Sequence, residues 1–148
     1  MDRAVEASGG PEKLFQVNDN ITSTPRSQEH TMSRNTRAIF ADIDAFDPDK
    51  FVAHLTEDVV FRFGNGEPAI GRAAVRDAVA GFFSSIDGLT HHILNLWDVG
   101  DVTVCQIDVE YRRKDGKSVT VPNADILTFD GDLVRHWQIY IDLAPLYA

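Results

Sequence analysis

The chain has 148 residues, of which 43% are hydrophobic and 25% charged, and a formal net charge of -9. That is enough sequence for one domain with its own core, and the acidic balance argues against nucleic acid or an anionic membrane as partner, because both require a basic footprint. No apolar run reaches the length of a bilayer span. The first residues lack the apolar centre of a secretory signal, and the single cysteine, Cys105, has no partner for an internal disulfide, so the expected location is cytoplasmic.

Residues 1–32 hold Ser-Gly-Gly-Pro, Asn-Asp-Asn and Ser-Thr-Pro-Arg-Ser-Gln-Glu with few apolar residues. They are expected to form a disordered or loosely attached extension, with Met32 a second candidate start. The domain is expected over 33–148. Ser33 is a candidate N-cap, and Ile39, Phe40, Ile43 and Phe46 recur at helical spacing, which predicts a helix over 34–46. Asp47-Pro48 ends it and opens a second short helix that buries Phe51, Val52 and Leu55. Residues 59–63 read as a strand, the Gly-Asn-Gly-Glu-Pro at 64–68 as a turn, and residues 72–85 as a helix burying Val75, Val79, Phe82 and Phe83. The period then changes. Residues 91–97, 102–113, 117–129 and 133–143 read as four strands whose short, turn-rich links make antiparallel neighbours. Helices followed by a meander predict an α+β fold. The sequence contains no repeat, no Gly-rich phosphate loop and no Cys/His cluster at metal spacing, so no cofactor or metal is expected.

Alternation sorts the strand residues into two faces. In the last strand Trp137, Ile139 and Ile141 oppose His136, Gln138, Tyr140 and Asp142. Before it, Thr103, Cys105, Ile107, Val109 and Tyr111 oppose Val104, Gln106, Asp108 and Glu110, while Asn123, Asp125, Leu127 and Phe129 oppose Ala124 and Ile126. A polar face that carries an aromatic suits a ligand chamber. The inward candidates are therefore Gln106, Asp108, Asn123, Asp125, His136, Gln138, Tyr140 and Asp142. The apolar set (Ile107, Val109, Ile126, Trp137, Ile139 and Ile141) is then expected outside, covered by a second copy in a homodimer. Carboxylates crowded into a partly apolar chamber repel, so one holds its proton and the site gains both an acid and a base. One of the consecutive His91 and His92 must face inward. His92 is favoured, paired with Asp108 or Asp142 as a dyad. Phe61, Phe63, Phe82 and Trp97 are expected to line the chamber, and Cys105 to be a buried small residue. His136 is expected near the rim, and His54 and Arg62 on the surface.

Thr-Glu-Asp-Val-Val-Phe at 56–61, Gly71-Arg72-x-x-Val75, and Phe129-Asp-Gly-Asp-Leu-Val leading into Ile139-Tyr-Ile-Asp-Leu-Ala-Pro-Leu carry a resemblance to the NTF2-like superfamily, SnoaL-like branch, over residues 33–148. That resemblance implies a curved sheet wrapped around helices into a cone with one cavity, commonly dimeric through the outer sheet face. Gln106-Ile-Asp108-Val and Tyr140-Ile-Asp142-Leu resemble the two aspartate strands of limonene epoxide hydrolases, in which one aspartate activates water and the other protonates the epoxide. Here Gln106, Phe61 and Phe63 stand where that family has arginine, tyrosine and asparagine. Asp125 matches the protonated oxyanion-hole aspartate of ketosteroid isomerases, with Phe63 and about Ile39 at the positions of the general base and the tyrosine. In the polyketide cyclases the acid/base aspartate falls at Gln138 and an assisting histidine at Asp125. Dehydratases of the superfamily use a pocket histidine from a sheet strand. Together these imply a cofactor-independent acid–base enzyme (isomerase, dehydratase, cyclase or epoxide-hydrolase-like). Its expected substrate is a small apolar oxygenated molecule such as a polyketide, terpenoid or steroid-like compound. Asp108 and Asp142 are then the main catalytic pair, Asp125, His92 and Tyr140 their helpers, and Gln106, Asn123 and Gln138 ligand-orienting groups. The alternative is a non-catalytic small-molecule-binding protein that kept the pocket.

Overall fold

The computed structural model describes residues 34–148. The expected extension at 1–32 and the candidate cap Ser33 lie outside the described residues. Two helices open the described chain, α1 at Thr36–Asp44 and α2 at Pro48–Val52. α1 turns Ile39, Phe40 and Ile43 inward and stops two residues before the predicted end. Phe46 takes a left-handed conformation (φ 68°) that ends the helix, and its ring stacks on Phe83 at 4.6 Å. Asp47 then caps α2, its Oδ1 accepting from the Asp49 amide at 2.9 Å, with Pro48 in the first turn.

The rest of the chain is β1 (Leu55–Phe63), β2 (Ala69–Ile70), α3 (Arg72–Phe83), β3 (Gly88–Val99), β4 (Val102–Arg112), β5 (Ser118–Asp130), β6 (Leu133–Ile141) and α4 (Ala144–Tyr147). The predicted α+β architecture and the four-strand meander are present. The two-residue β2 and the single-turn α4 are too short to leave a periodic signal. The strands make one six-stranded sheet in the order β2-β1-β6-β5-β4-β3. All neighbours are antiparallel except β1, which runs parallel to β6. Gly71 joins β2 to α3 at φ 92°, where a side chain would be strained, and its amide donates to the Val59 carbonyl at 2.7 Å. Arg72 clamps the same joint by donating twice to the Leu55 carbonyl, at 2.6 and 3.1 Å. At the other end Arg113 donates to the carbonyls of Leu146 and Ala148, both at 3.0 Å, and so holds α4.

The helices cover one face of the sheet, and that face is the core. Thr103, Cys105, Ile107, Val109 and Tyr111 of β4, Val121, Leu127 and Phe129 of β5, and Val134, Trp137 and Ile139 of β6 are all buried there with Leu55, Val59 and Val75. The apolar set predicted for the outside is therefore the inside, with the exception of Ile126, which lies on the other face between Val104 and Gln138. The reason is physical: helices as apolar as α1 and α3 must bury their faces against the apolar side of the sheet. Among the described residues no helix is long and apolar enough to cross a membrane.

Leu55, fully buried where β1 starts, tests this packing. Leu55→Ala should lower the urea-measured unfolding free energy by about 2–5 kcal/mol; a loss within about 0.5 kcal/mol would contradict a close-packed joint between β1 and α3.

Candidate functional site

Between the helices and the inner sheet face lies an apolar chamber with a free volume of about 80 Å³, room for a few waters or one small ring. Half of its lining residues are aromatic: Phe40, Phe51, Phe61, Phe63, Phe82 and Phe83 with Tyr111 and Trp137. Trp137 organises them: it stacks on Phe51 at 5.3 Å and meets Phe40 and Phe61 edge to face at 5.9 and 5.8 Å. Such pairs add about 0.5–1.5 kcal/mol each beyond the area they bury. The polar residues of the lining are His91, Asn123 and Asp125.

His91 comes from β3, where it pairs with Val109 and so faces inward. The carboxylate of Asp44, at the C-terminal end of α1, grips it twice. Asp44 Oδ1 lies 2.6 Å from His91 Nδ1, and Asp44 Oδ2 accepts the His91 backbone amide at 2.9 Å. An ionised carboxylate only accepts, so in the neutral ring Nδ1 carries the proton and Nε2 the lone pair. The His91 side chain is 9% exposed, and its ring packs on Phe40 at 4.9 Å. The result is an imidazole fixed in tautomer and orientation, with a carboxylate placed to stabilise its protonated form.

Asp125 sits on β5, opposite Cys105 and Ile139, and is 1% exposed. Trp137 Nε1 donates to its Oδ2 at 2.8 Å and Asn123 Nδ2 to its Oδ1 at 3.0 Å. Burial pushes the Asp125 carboxyl up to about 6, against the opposing pull of the Trp137 bond, the nearby His91 and the Asn123 bond. Desolvation is the largest of these effects because two neutral donors restore only part of the hydration a carboxylate loses. Burial likewise pushes the Cys105 thiol up to about 12, so this side chain is the inert small residue expected of it and not a nucleophile.

The structure thus brings together Asn123, Asp125, Phe61, Phe63 and Phe82 of the expected set. The others are corrected. Asp108 lies on the outer sheet face, opposite His92 and Pro122. Asp142 is exposed beyond β6 and accepts the Ala144 amide at 3.0 Å, which starts α4. His92 is the outward member of the histidine pair and meets Glu110 at 3.1 Å. Gln106 accepts from Asn95 on the same outer face at 2.7 Å, and Gln138 opposes Ile126 there. Tyr140 and Trp97 are 58% and 49% exposed. His136 is exposed, opposite Thr128 and Val60. Arg62 is exposed as expected, while His54 is partly buried against Asp42 at 2.7 Å. The cause is one parity error in β4 and β6. The sequence signal that finds the site is the reverse of the one used: isolated polar residues within an apolar alternation, as Asn123 and Asp125 stand between Val121 and Leu127. The sequence reading missed Asp44 and Tyr111 and ranked His91 second. Among the described residues no group of three or more His, Cys, Asp or Glu is arranged to hold a metal ion.

Asp125 makes stability depend on pH with a definite sign. Between about pH 4 and pH 6 the folded chain keeps a proton here that the unfolded chain gives up. Stability therefore falls as pH rises through that window, by on the order of 3 kcal/mol for this group. Chemical denaturation of wild type and Asp125→Asn across pH 4–7 should show that component of the slope in wild type only. Equal slopes in the two would place Asp125 in contact with water.

Comparison with known proteins agrees with this architecture. A family model described as SnoaL-like domain matches residues 36–137. No curated protein matches the sequence. Among solved structures, a protein of Jannaschia sp. CCS1 assigned as a SnoaL-like polyketide cyclase is 17% identical with TM-score 0.70, over 84% of this chain and 93% of that one. An LEH-like epoxide hydrolase of M. tuberculosis is 15% identical with TM-score 0.67, over 83% and 90%. A Catenulispora acidiphila protein with a ketosteroid isomerase-like fold, in complex with trimethylamine, is 19% identical with TM-score 0.66, over 74% and 89%. At these identities the solved structures establish a shared NTF2-like fold, and the family match covers α1, α2, α3 and every residue of the chamber lining except Ile139: the chain belongs to the SnoaL-like domain family.

Proposed function

We propose that this protein is a cofactor-independent acid–base enzyme acting on a small, largely apolar, oxygenated molecule of about one ring, by isomerisation or dehydration. The observation that carries this reading is the double grip of Asp44 on His91 at the wall of an aromatic chamber that also holds a buried, easily protonated Asp125. His91 Nε2 takes a proton from a carbon next to a carbonyl, and Asp44 stabilises the imidazolium that results. Asp125, in its neutral form, gives a proton to the oxygen on which charge builds and recovers it as the carbonyl reforms, while the imidazolium returns its proton to another carbon in isomerisation or, in dehydration, to the hydroxyl whose C–O bond breaks and which leaves as water. The aromatic walls exclude water and so strengthen both interactions. Asp108 and Asp142, both off the chamber wall, have no part in this scheme.

The outer sheet face supports a homodimer. Trp97, Val104 and Ile126 form one row across β3, β4 and β5, next to the exposed Leu94, Val99 and Tyr140. A second copy covering this row removes apolar area from water. The acidic chain and its single, deeply buried thiol support a cytoplasmic location.

3-Hydroxycyclohexanone tests the chemistry, because it fits one ring's space and reports both α-proton exchange in D2O, by NMR, and loss of water, by ultraviolet absorbance of the enone. His91→Gln should slow both by about 10²–10⁴-fold, and Asp44→Asn should follow it, whereas Asp108→Asn and Asp142→Asn should match wild type. The rate should fall as pH rises above about 6, where Asp125 loses its proton, and Asp125→Asn should lack that limb. Wild-type rates in His91→Gln would remove the proposed base. Binding without exchange in wild type would instead favour a non-catalytic ligand-binding module. For the dimer, light scattering should give twice the chain mass for wild type and the chain mass for Trp97→Lys; an unchanged mass in the variant would leave the Trp97 row without a role.

A further inference from the structure

We infer that the chamber selects a ligand that brings a hydroxyl hydrogen, an alcohol or phenol, over one that offers only a carbonyl oxygen. The inference rests on the site reading above and adds the chemical class of the ligand. It follows from counting what each polar atom at the chamber has left to offer. The indole hydrogen of Trp137 is committed to Asp125 at 2.8 Å, and one of the two Asn123 amide hydrogens to the same carboxyl at 3.0 Å, which leaves the other amide hydrogen. The Nδ1 hydrogen of His91 is committed to Asp44 at 2.6 Å. With Asp125 ionised, the acceptors that remain are Nε2 of the neutral His91 ring and Asn123 Oδ1, a carbonyl oxygen that is buried and has no hydrogen-bond partner among the described residues. Asn123 is itself 8% exposed. Its amide orientation is not free to reverse while Asp125 is ionised, because turning the amide over would set one oxygen against another. The Tyr111 hydroxyl can donate or accept, so it serves an alcohol and a ketone alike. The lining contains neither lysine nor arginine.

A buried carbonyl oxygen without a partner costs free energy that a ligand hydroxyl recovers and a ligand ketone cannot. A ketone can take a hydrogen from Tyr111 or from the second Asn123 N–H, but it leaves Asn123 Oδ1 without one. The discrimination rests on Asn123 Oδ1 more than on His91, because the imidazole's lone pair is reserved for the reacting C–H.

Cyclohexanol and cyclohexanone differ little in size and isolate the donor. Each is titrated into the full chain at pH 8, with the indole N–H resonance of Trp137 as reporter. Cyclohexanol should bind about tenfold or more tightly than cyclohexanone, and in Asn123→Leu the ratio should fall to about twofold or less. Equal affinities, a tighter ketone, or no shift with either probe at tens of millimolar would overturn the inference. So would an undiminished ratio in Asn123→Leu. The wild-type ratio decides even where that variant fails to fold. Because the readout is binding, it stands apart from the proposed chemistry. A clear alcohol preference with no effect of His91→Gln on turnover would sink the enzyme and leave the ligand class standing.

Discussion

The antiparallel ladder from β3 to β6 ties the parity of four strands together. Once one inward residue is known, backbone pairing fixes the rest: Asp125 faces inward, so Cys105 and Ile139 opposite it do too, and Gln106, Asp108, Gln138 and Tyr140 cannot. The helices choose which face is inward, because Ile39, Phe40, Val75 and Val79 need an apolar partner. Everything chemical in the molecule is downstream of that choice. The few polar groups that the ladder carries to the covered side become buried, and burial gives them properties that the same residues lack on the outer face.

Asp125 and Asp108 illustrate the difference. Both are aspartates in the middle of long strands of the same sheet. One is enclosed by Trp137, Asn123 and aromatic rings and holds its proton up to about pH 6; the other shares the outer face with His92 and Glu110. Residue type sets what a side chain can do, and the dielectric around it sets what it does near neutral pH. His91 and His92 form a second such pair, adjacent in sequence and opposite in environment. The inward one is gripped by Asp44 through both oxygens, and the outward one meets Glu110 in solvent.

α1 ends at the residue that grips His91. Asp44 is its last helical residue, and the left-handed Phe46 turns the chain away directly afterwards, anchored on Phe83 of α3. A residue held at positive φ without being glycine costs free energy, and its place two residues from the dyad is the kind of constraint that functional geometry imposes.

The sequence by itself determined the elements and their order. Helical spacing in Ile39, Phe40 and Ile43, the Asp47-Pro48 boundary and the short turns between strands are local signals that residues emit whatever surrounds them. It also put Asn123 and Asp125 inward, though by the same polar-face argument that misplaced Asp108 and Asp142. What only the tertiary structure decided was the face. Alternation divides a strand into two sets and is silent on which set meets the helices, so Asp108 and Asp142 were as eligible as Asp125 until the packing was known. Asp44 and His91 lie 47 residues apart, on a helix and a strand. Their contact is a property of how those elements pack, and no spacing along the chain encodes it.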